Sequence, residues 1–193
     1  FLVTHLAPHA YIPNMPFEYT AYMAEMISQV CQEAHARMAQ VTIYDLPLVY
    51  RDPPVSGYHP IHPSDKAPVG RRLAASALGL VYAGDTAAQT APVFKSMRVE
   101  GGRAALRFDH ADSGLRLDEP LTDLVLLDQE GAIYPGQARI REDGLLEVWN
   151  DRLPRPAEVR LGYANWYVMP LFNGDGLPAS PFRIREAAKE ADV

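Results

Sequence analysis

Two histidines, His59 and His62, lie three residues apart in the proline-rich segment "GYHPIHPSDK". At neutral pH a histidine can act as a general base, a proton donor or a metal ligand. A metal shared by this pair is disfavoured, because residues at i and i+3 share a face only on a helix, and Pro60 and Pro63 are incompatible with a helix. We therefore predict no metal site here. His62 is a candidate for acid–base chemistry, and the alternative is that Pro60, His62 and Pro63 only shape a rigid turn.

A general-base histidine needs a nucleophile within hydrogen-bond reach and normally a carboxylate that orients its ring. Asp45 and Asp52 precede His62 and supply candidate carboxylates. No serine lies in a Gly-x-Ser-x-Gly elbow or in a Gly-Asp-Ser or Gly-Gln-Ser turn. The segment "VEGGRA" lies between two predicted strands and is not a phosphate-binding loop. The sequence thus offers a base without a recognisable nucleophile.

The other histidines differ in their predicted positions. His5 and His9 flank the end of a predicted strand, where α/β folds gather their ligands, so both are candidates for lining a site. His35 falls on the polar face of a predicted helix and His110 in a predicted turn. We assign no function to these last two.

The pattern of the first 84 residues predicts an α/β fold, which would position the candidate histidines and carboxylates. Apolar spacing and turn residues predict a strand over 1–7, a helix over about 17–38, a strand over 41–44, a proline-rich loop and a helix that ends before Gly84. This alternation implies a parallel sheet with His62 at its carboxyl edge, where such folds place active sites. Two strands are too few to form such a sheet alone.

Two apolar stripes define the predicted helices and their buried faces. The first stripe comprises Tyr19, Tyr22, Met23, Met26, Ile27, Val30 and Ala34, and the second comprises Val69, Leu73, Ala77, Leu80 and Val81.

Beyond residue 84 the sequence changes character. Residues 85–91 are small and polar, which is typical of a linker. The pattern of residues 92–185 predicts an all-β sandwich of about seven strands. Residues 186–193 are a charged tail. The short apolar runs of this part are separated by Gly-Gly, Glu-Gly and Asp-Gly turn signals. Its aromatic residues are candidates either for stacking on sugar rings or for the core: Trp149, Tyr163, Trp166 and Tyr167.

Composition excludes several classes of partner. The 193 residues carry a net charge of −6, and there is no basic block, which argues against binding to nucleic acid or an anionic membrane. The single cysteine, Cys31, cannot form an internal disulfide. The chain opens at Phe1, directly in a predicted strand, so we expect that it begins inside a fold of a longer protein.

Three stretches together resemble the sialate O-acetylesterase family of SGNH-type carbohydrate esterases. "IHPSDKAPVGRRLAASALGLVY" resembles the family's catalytic-histidine segment, "APVFKSMRVEGGRAALRFDHADSGL" resembles the opening hairpins of its C-terminal β domain, and "FNGDGLPASPFR" is similar to its terminal signature. The opening "FLVTHLAP" matches a family strand more weakly. The resemblance covers residues 1 to about 185 in the family's order.

This resemblance implies the C-terminal part of an SGNH hydrolase followed by a β-sandwich domain. It implies that His62 is the catalytic base in the hydrolysis of O-acetyl esters on sugars through an acyl-serine intermediate, and that no metal or organic cofactor is needed. From their positions in the sequence we also expect His5 and His59 near the substrate. It further implies a secreted or periplasmic protein. The family's nucleophile blocks are missing from this sequence, so we expect a separate N-terminal polypeptide or segment to supply the serine, as in a heterodimer.

The family places an aspartate two residues before the histidine, where this sequence has Pro60. Asp52 or Asp45 then orients His62, a backbone carbonyl replaces the carboxylate, or the function is lost. Pro60 therefore leaves a degenerate esterase as one alternative to an active enzyme. The aromatic residues of the β domain leave a non-catalytic carbohydrate-binding or structural module as another.

Overall fold

The structure is a computed structural model that describes residues 1–7, 18–34, 37–46, 63, 65–82, 90–164 and 167–185. It has a small α/β part followed by a β-rich part. None of the helices in these ranges is long and apolar enough to cross a membrane.

The α/β part contains two short parallel strands. β1 (Leu2–Thr4) pairs with β2 (Ala39–Val41), and helix α1 (Tyr19–Glu33) connects them in sequence. Helix α2 (Ala67–Ala77) follows and continues as a π-helical segment, Leu78–Tyr82. The predicted order of strand, helix, strand and helix is present, with β1 shorter than the predicted strand.

The buried face of α1 differs from the predicted one. Thr20, Ala21 and Ala24 are buried, whereas 42% of Tyr22 and 50% of Val30 is exposed. Small side chains allow the helix axis to approach neighbouring elements closely, and α1 packs against β2 and against the last strand of the chain. The larger apolar side chains therefore point away from this contact.

Helix α2 begins where the proline and aspartate signals predict. The Asp65 carboxylate accepts a hydrogen bond from the backbone N–H of Ala67 at 2.8 Å, and Pro68 occupies the first turn, where its missing N–H removes no helical bond. Val69 packs against a small core of Ala7, Ile43 and Leu46. Val81 of the predicted stripe is 56% exposed, because the helix has changed to π geometry before it.

The described residues of the β-rich part contain ten strands. They are β3 (Val93–Glu100), β4 (Arg103–Asp109), β5 (Leu115–Leu117), β6 (Leu124–Leu127), β7 (Ile133–Pro135), β8 (Gln137–Ile140), β9 (Leu146–Trp149), β10 (Glu158–Leu161), β11 (Leu171–Asn173) and β12 (Phe182–Arg185). The sequence predicts about seven, because the three-residue strands β5, β7 and β11 are too short to show alternation.

These strands form antiparallel sheets. One four-stranded sheet has the order β3-β4-β9-β8, a second has the order β12-β10-β6-β7, and β5 pairs with β11. The predicted Gly-Gly turn joins β3 to β4 at Gly101 and Gly102, whose φ angles of 55° and 80° favour glycine.

One hydrophobic core joins the β sheets to the α/β part. Leu106 and Val148 of the first sheet share it with Leu126 and Val159 of the second, and Tyr44 from the α/β part is fully buried in it. The predicted linker falls mostly on residues 83–89, and the predicted tail on 186–193, both outside the described residues.

Candidate active site

The segment that carries most of the predicted site lies outside the described residues, together with His9 and Trp166. It includes His59, His62 and Asp52. The described chain stops after Leu46 and resumes at the buried Pro63. The described residues on either side of this segment belong to the end of β2 and to α2. They contact one another and the β-rich part.

Arg72 joins the two sides of the segment. Its Nη1 donates to Asp45 Oδ1 at 2.7 Å, and its Nη2 donates to Asp45 Oδ2 at 2.6 Å. Only 13% of the Arg72 side chain and 16% of the Asp45 side chain is exposed. This bidentate pair, made in a partly desolvated position, fixes helix α2 to the chain just beyond β2. Asp45, one of the two candidate orienting carboxylates, thus has both oxygen atoms engaged by a guanidinium group.

Thr42 extends this set of contacts in two directions. Its carbonyl oxygen accepts a second hydrogen bond from Arg72 Nη1 at 2.9 Å. Its hydroxyl donates to the carbonyl oxygen of Pro178 at 2.9 Å, and Thr42 is buried. The carboxyl end of β2 is therefore bound both to α2 and to the terminal "FNGDGLPASPFR" stretch.

Asn173 organises that terminal stretch. Its side chain is fully buried; Nδ2 donates to the carbonyl oxygens of Thr90 and His110, both at 3.0 Å, and Oδ1 accepts from the N–H of Leu177 at 2.9 Å. At Gly174 a Cβ atom would lie 2.2 Å from the carbonyl oxygen of Ser113, so the close approach of the two loops requires glycine. The terminal "FNGDGLPASPFR" stretch therefore supports the end of β2, through the hydrogen bond from Thr42 to Pro178.

Tyr44 provides a further contact between the two parts. Its hydroxyl donates to the carbonyl oxygen of Thr20 at 3.0 Å, and its own carbonyl oxygen accepts from the N–H of Met169 at 3.0 Å. The residue directly before Asp45 is thereby held by α1 on one side and by the β-rich part on the other.

His5 lies inside the protein next to Tyr44. Only 2% of it is exposed; its Nε2 is 3.0 Å from Gln40 Oε1, which also accepts from the Ser28 hydroxyl at 2.7 Å. Since Gln40 Oε1 is an acceptor, Nε2 carries the hydrogen and Nδ1 is left as a buried acceptor with no partner in the described chain. Burial lowers the pKa of His5 to about 4, so the ring is neutral at pH 7.

The described candidates are therefore not brought together: Asp45 binds Arg72, whereas His5 binds Gln40. Sequence reasoning did not single out Arg72 or Asn173. In the sequence, Arg72 and Asn173 are notable only because they lie in the "VGRRLA" and "FNGDGL" motifs. These motifs do not indicate which residues the two side chains contact.

The aromatic candidates have three different environments. Tyr167 is buried in the main core, and the Tyr163 hydroxyl donates to Glu25 Oε2 at 2.7 Å. Burial and the Glu25 carboxylate raise the pKa of Tyr163. Trp149 is partly buried, with the guanidinium groups of Arg103 and Arg139 at 4.3 and 5.8 Å from its ring centre.

Among the described residues, no group of three or more His, Cys, Asp or Glu is arranged to hold a metal ion.

Comparison with solved structures relates the chain to a known enzyme. No protein-family model and no curated protein matches the sequence. Among solved structures the chain is similar to a carbohydrate acetylesterase from Xanthomonas citri, with 30% sequence identity and a TM-score of 0.78. The match covers 95% of this chain and 40% of that one, so the chain spans less than half of the length of that enzyme.

Proposed function

We propose that this chain is the histidine-bearing portion of a carbohydrate O-acetylesterase of the SGNH type, similar to the sialate O-acetylesterases. The observation that carries the proposal is the similarity to a carbohydrate acetylesterase over 95% of the chain, including both the α/β part and the β-rich part. A secreted or periplasmic location and a C-terminal β-sandwich belong to the same proposal.

His62 is the general base in this proposal. It takes the proton of a serine hydroxyl as that oxygen attacks the acetyl carbonyl carbon, and it returns the proton to the sugar oxygen when the C–O ester bond breaks. Water then attacks the acetyl-serine with the help of the same ring, and acetate leaves. Hydrogen-bond donors around the carbonyl oxygen stabilise the tetrahedral intermediates.

Arg72 and Asp45 position this histidine without contacting the substrate. Because Asp45 already accepts two hydrogen bonds from Arg72, its carboxylate charge is balanced by the guanidinium group. Asp52, which lies ten residues before His62, is then the preferred residue to orient the His62 ring. The paired Asp45 instead fixes the ends of the segment that carries His62.

The serine is supplied by a separate N-terminal polypeptide or by a preceding segment. Support comes from the edge of β1, which pairs with β2 and with no other strand in the described part of the chain. The Phe1 carbonyl and the His5 N–H bond to β2, so alternation along a parallel strand turns the backbone groups of Leu2 and Thr4 towards the open side. A further parallel strand fits this edge.

Exposed apolar side chains support the same partner. Tyr22, Met26 and Val30 are 42%, 40% and 50% exposed and lie on one face of α1 at i, i+4 and i+8. Large apolar groups grouped in this way are typical of a surface that another element covers. The additional length of the matched acetylesterase supplies the kind of segment that would cover it.

The proposal is tested by labelling an active preparation with a serine-directed fluorophosphonate, followed by intact-mass and peptide mass spectrometry. We expect hydrolysis of an acetylated sugar and a label on a serine outside these 193 residues. A label on one of the seven serines of this sequence would overturn the split-site arrangement. Failure to hydrolyse any acetylated sugar in a preparation that contains the complementary segment would identify a degenerate esterase. Saccharide binding by residues 92–185 alone, with no loss of binding on His62→Ala in the longer chain, would favour the binding module.

A further inference from the structure

A pocket of about 230 Å³ lies where the α/β part meets the β-rich part. One side of it is formed by α1 and the start of β2, and another by α2 and the π-helical segment. The remaining side is formed by Thr90, Val93 and His110. Each water molecule occupies about 30 Å³ in the liquid, so this volume corresponds to about seven waters and has room for one small ligand.

Ser76 brings a buried hydroxyl group to this pocket. It is the one buried residue of helix α2, only 7% of it is exposed, and it lines the pocket. Its hydroxyl group makes no hydrogen bond with the described part of the chain. Because buried hydroxyl groups in proteins nearly always have a partner, this serine points to a group from outside the chain.

Gln40 supplies a second buried polar group. Only 5% of it is exposed; its Oε1 accepts from the Ser28 hydroxyl at 2.7 Å and lies 3.0 Å from Nε2 of His5. With Oε1 engaged in this way, the amide NH₂ group is the free end of the side chain, and it has no acceptor in the described part of the chain. Ser28 also lines the pocket, and its oxygen can still accept a hydrogen bond.

The rest of the lining is apolar or uncharged. Met38, Leu80 and Val93 supply apolar surface, and none of the described residues that line the pocket is Asp, Glu, Lys or Arg. A charged ligand would lose its water here without gaining a counter-charge. Apolar surface with a few polar groups is typical of small-molecule sites, and here it favours an uncharged ligand that has both hydroxyl groups and an apolar face.

We propose that this pocket binds a neutral monosaccharide. The sugar oxygens accept hydrogen bonds from the Gln40 amide, and the sugar hydroxyl groups bond with Ser76 and Ser28, while a C–H face of the ring packs against the apolar lining. The pocket lies at the amino end of β2, whereas the segment that contains His62 follows the carboxyl end of this strand. The proposal goes beyond the esterase function, and its test requires no esterase activity.

Cys31 provides the measurement, since it lines the pocket and is the single cysteine of the sequence. The protein is alkylated with iodoacetamide in the presence and absence of D-glucose, D-galactose, D-mannose or D-xylose. Peptide mass spectrometry follows the Cys31 peptide, so the assay also works in a preparation that contains the complementary segment. We expect at least one of these sugars to protect Cys31 saturably, with an alkylation rate that falls about tenfold at about ten times Kd.

Ser76→Ala should raise the Kd of the protecting sugar about threefold to tenfold, the size expected for one hydrogen bond. Ser180→Ala is the matched control, because 6% of Ser180 is exposed and its hydroxyl group also has no partner, but it does not line the pocket. It should leave the Kd unchanged. Each variant is compared with its own alkylation rate without sugar, which separates ligand binding from a change in the reactivity of Cys31.

The proposal is wrong if none of the sugars protects Cys31, since the pocket then holds only water. Equal protection by cyclohexanol, which has a six-membered ring and a single hydroxyl group, would identify an apolar pocket instead. Equal protection by D-glucuronate would contradict the preference for a neutral ligand. An unchanged Kd for Ser76→Ala, or an equal loss for Ser180→Ala, would overturn the assigned contacts.

Discussion

Both oxygen atoms of Asp45 bind the guanidinium group of Arg72, at 2.7 and 2.6 Å, although the two residues are 27 positions apart in the sequence. The pair lies on either side of the segment that contains His62, and Arg72 also donates to the carbonyl oxygen of Thr42. One ion pair thus connects the chain just beyond β2 with the middle of α2. If His62 is the general base, as proposed above, we expect its placement to depend on this contact.

Asp45→Asn is expected to destabilise the protein by about 2–4 kcal/mol, because it leaves the largely buried charge of Arg72 without its counter-charge. Urea unfolding followed by circular dichroism measures the loss. Glu100→Gln is the matched control, since its partner Arg98 and Glu100 itself are 65% and 53% exposed. We expect it to cost less than about 1 kcal/mol. Equal effects of the two substitutions would show that the Asp45 pair has no special role.

His62→Ala is expected to reduce hydrolysis of an acetylated sugar by about 10²-fold or more, because proton transfer to and from the serine oxygen is lost. His59→Ala should retain most of the activity, since that residue is only a candidate for contacting the substrate. The assay uses a preparation that contains the serine-bearing segment. A loss on His59→Ala as large as that on His62→Ala would reverse the assignment of the base.

The substitution Asp52→Asn tests which of the two candidate carboxylates, Asp52 or Asp45, orients the His62 ring. If Asp52 orients the His62 ring, this substitution lowers kcat by about 10²-fold or more and leaves the stability nearly unchanged. Asp45→Asn should instead lower stability and activity together. The measurement is kcat at a temperature well below each variant's unfolding midpoint. Full activity of Asp52→Asn would assign the orienting role to Asp45 or to a backbone carbonyl group.

The sequence predicted the order of the elements better than their buried faces. Strand, helix, strand and helix follow from apolar spacing, which is a local property. The burial of Ala21 and Ala24 in place of Tyr22 and Val30 does not follow, because it depends on which neighbours the helix meets in three dimensions. Apolar spacing identifies a face that avoids water, but it does not tell which molecule or segment covers it.

The candidate site was predicted only in part for a similar reason. A motif draws attention to Asp45 because it follows a strand, but its partner Arg72 becomes evident only when β2 and α2 are brought together. His5 was predicted at a sheet edge, and the structure places it in a buried contact with Gln40. Residue type and position in a strand do not determine whether a side chain at the strand end faces solvent.

Asn173→Ala is expected to cost about 2–4 kcal/mol of stability, because it removes a fully buried side chain and leaves the carbonyl groups of Thr90 and His110 and the N–H of Leu177 without their partners. Thermal unfolding measures the effect. Asn150→Ala is the control: that side chain also makes two hydrogen bonds, to Pro135 and Arg152, but its residue is only partly buried. If both alanine variants unfold at the same temperature, Asn173 is not the central support of the terminal signature.

The burial of His5 predicts a pH dependence of stability with a defined sign. The pKa of His5 is lowered from 6.5 to about 4 in the folded protein, so the unfolded chain takes up the proton first as the pH falls. The free energy of unfolding is therefore highest, as far as His5 is concerned, above pH 6.5. It decreases between pH 6.5 and 4, by up to about 3 kcal/mol.

Urea unfolding of the wild type and of His5→Gln at pH 7, 6, 5 and 4 tests this sign. The glutamine does not titrate, so the stability of the wild type relative to this variant should decrease as the pH falls through that window. His110→Asn is the control, because His110 is exposed and asparagine tolerates its positive φ of 59°. This variant removes one exposed histidine, so it separates the effect of the buried ring from that of losing a histidine. A constant difference between the wild type and His5→Gln across the four pH values would mean that the His5 ring takes up a proton equally well in the folded and the unfolded chain, which contradicts the prediction.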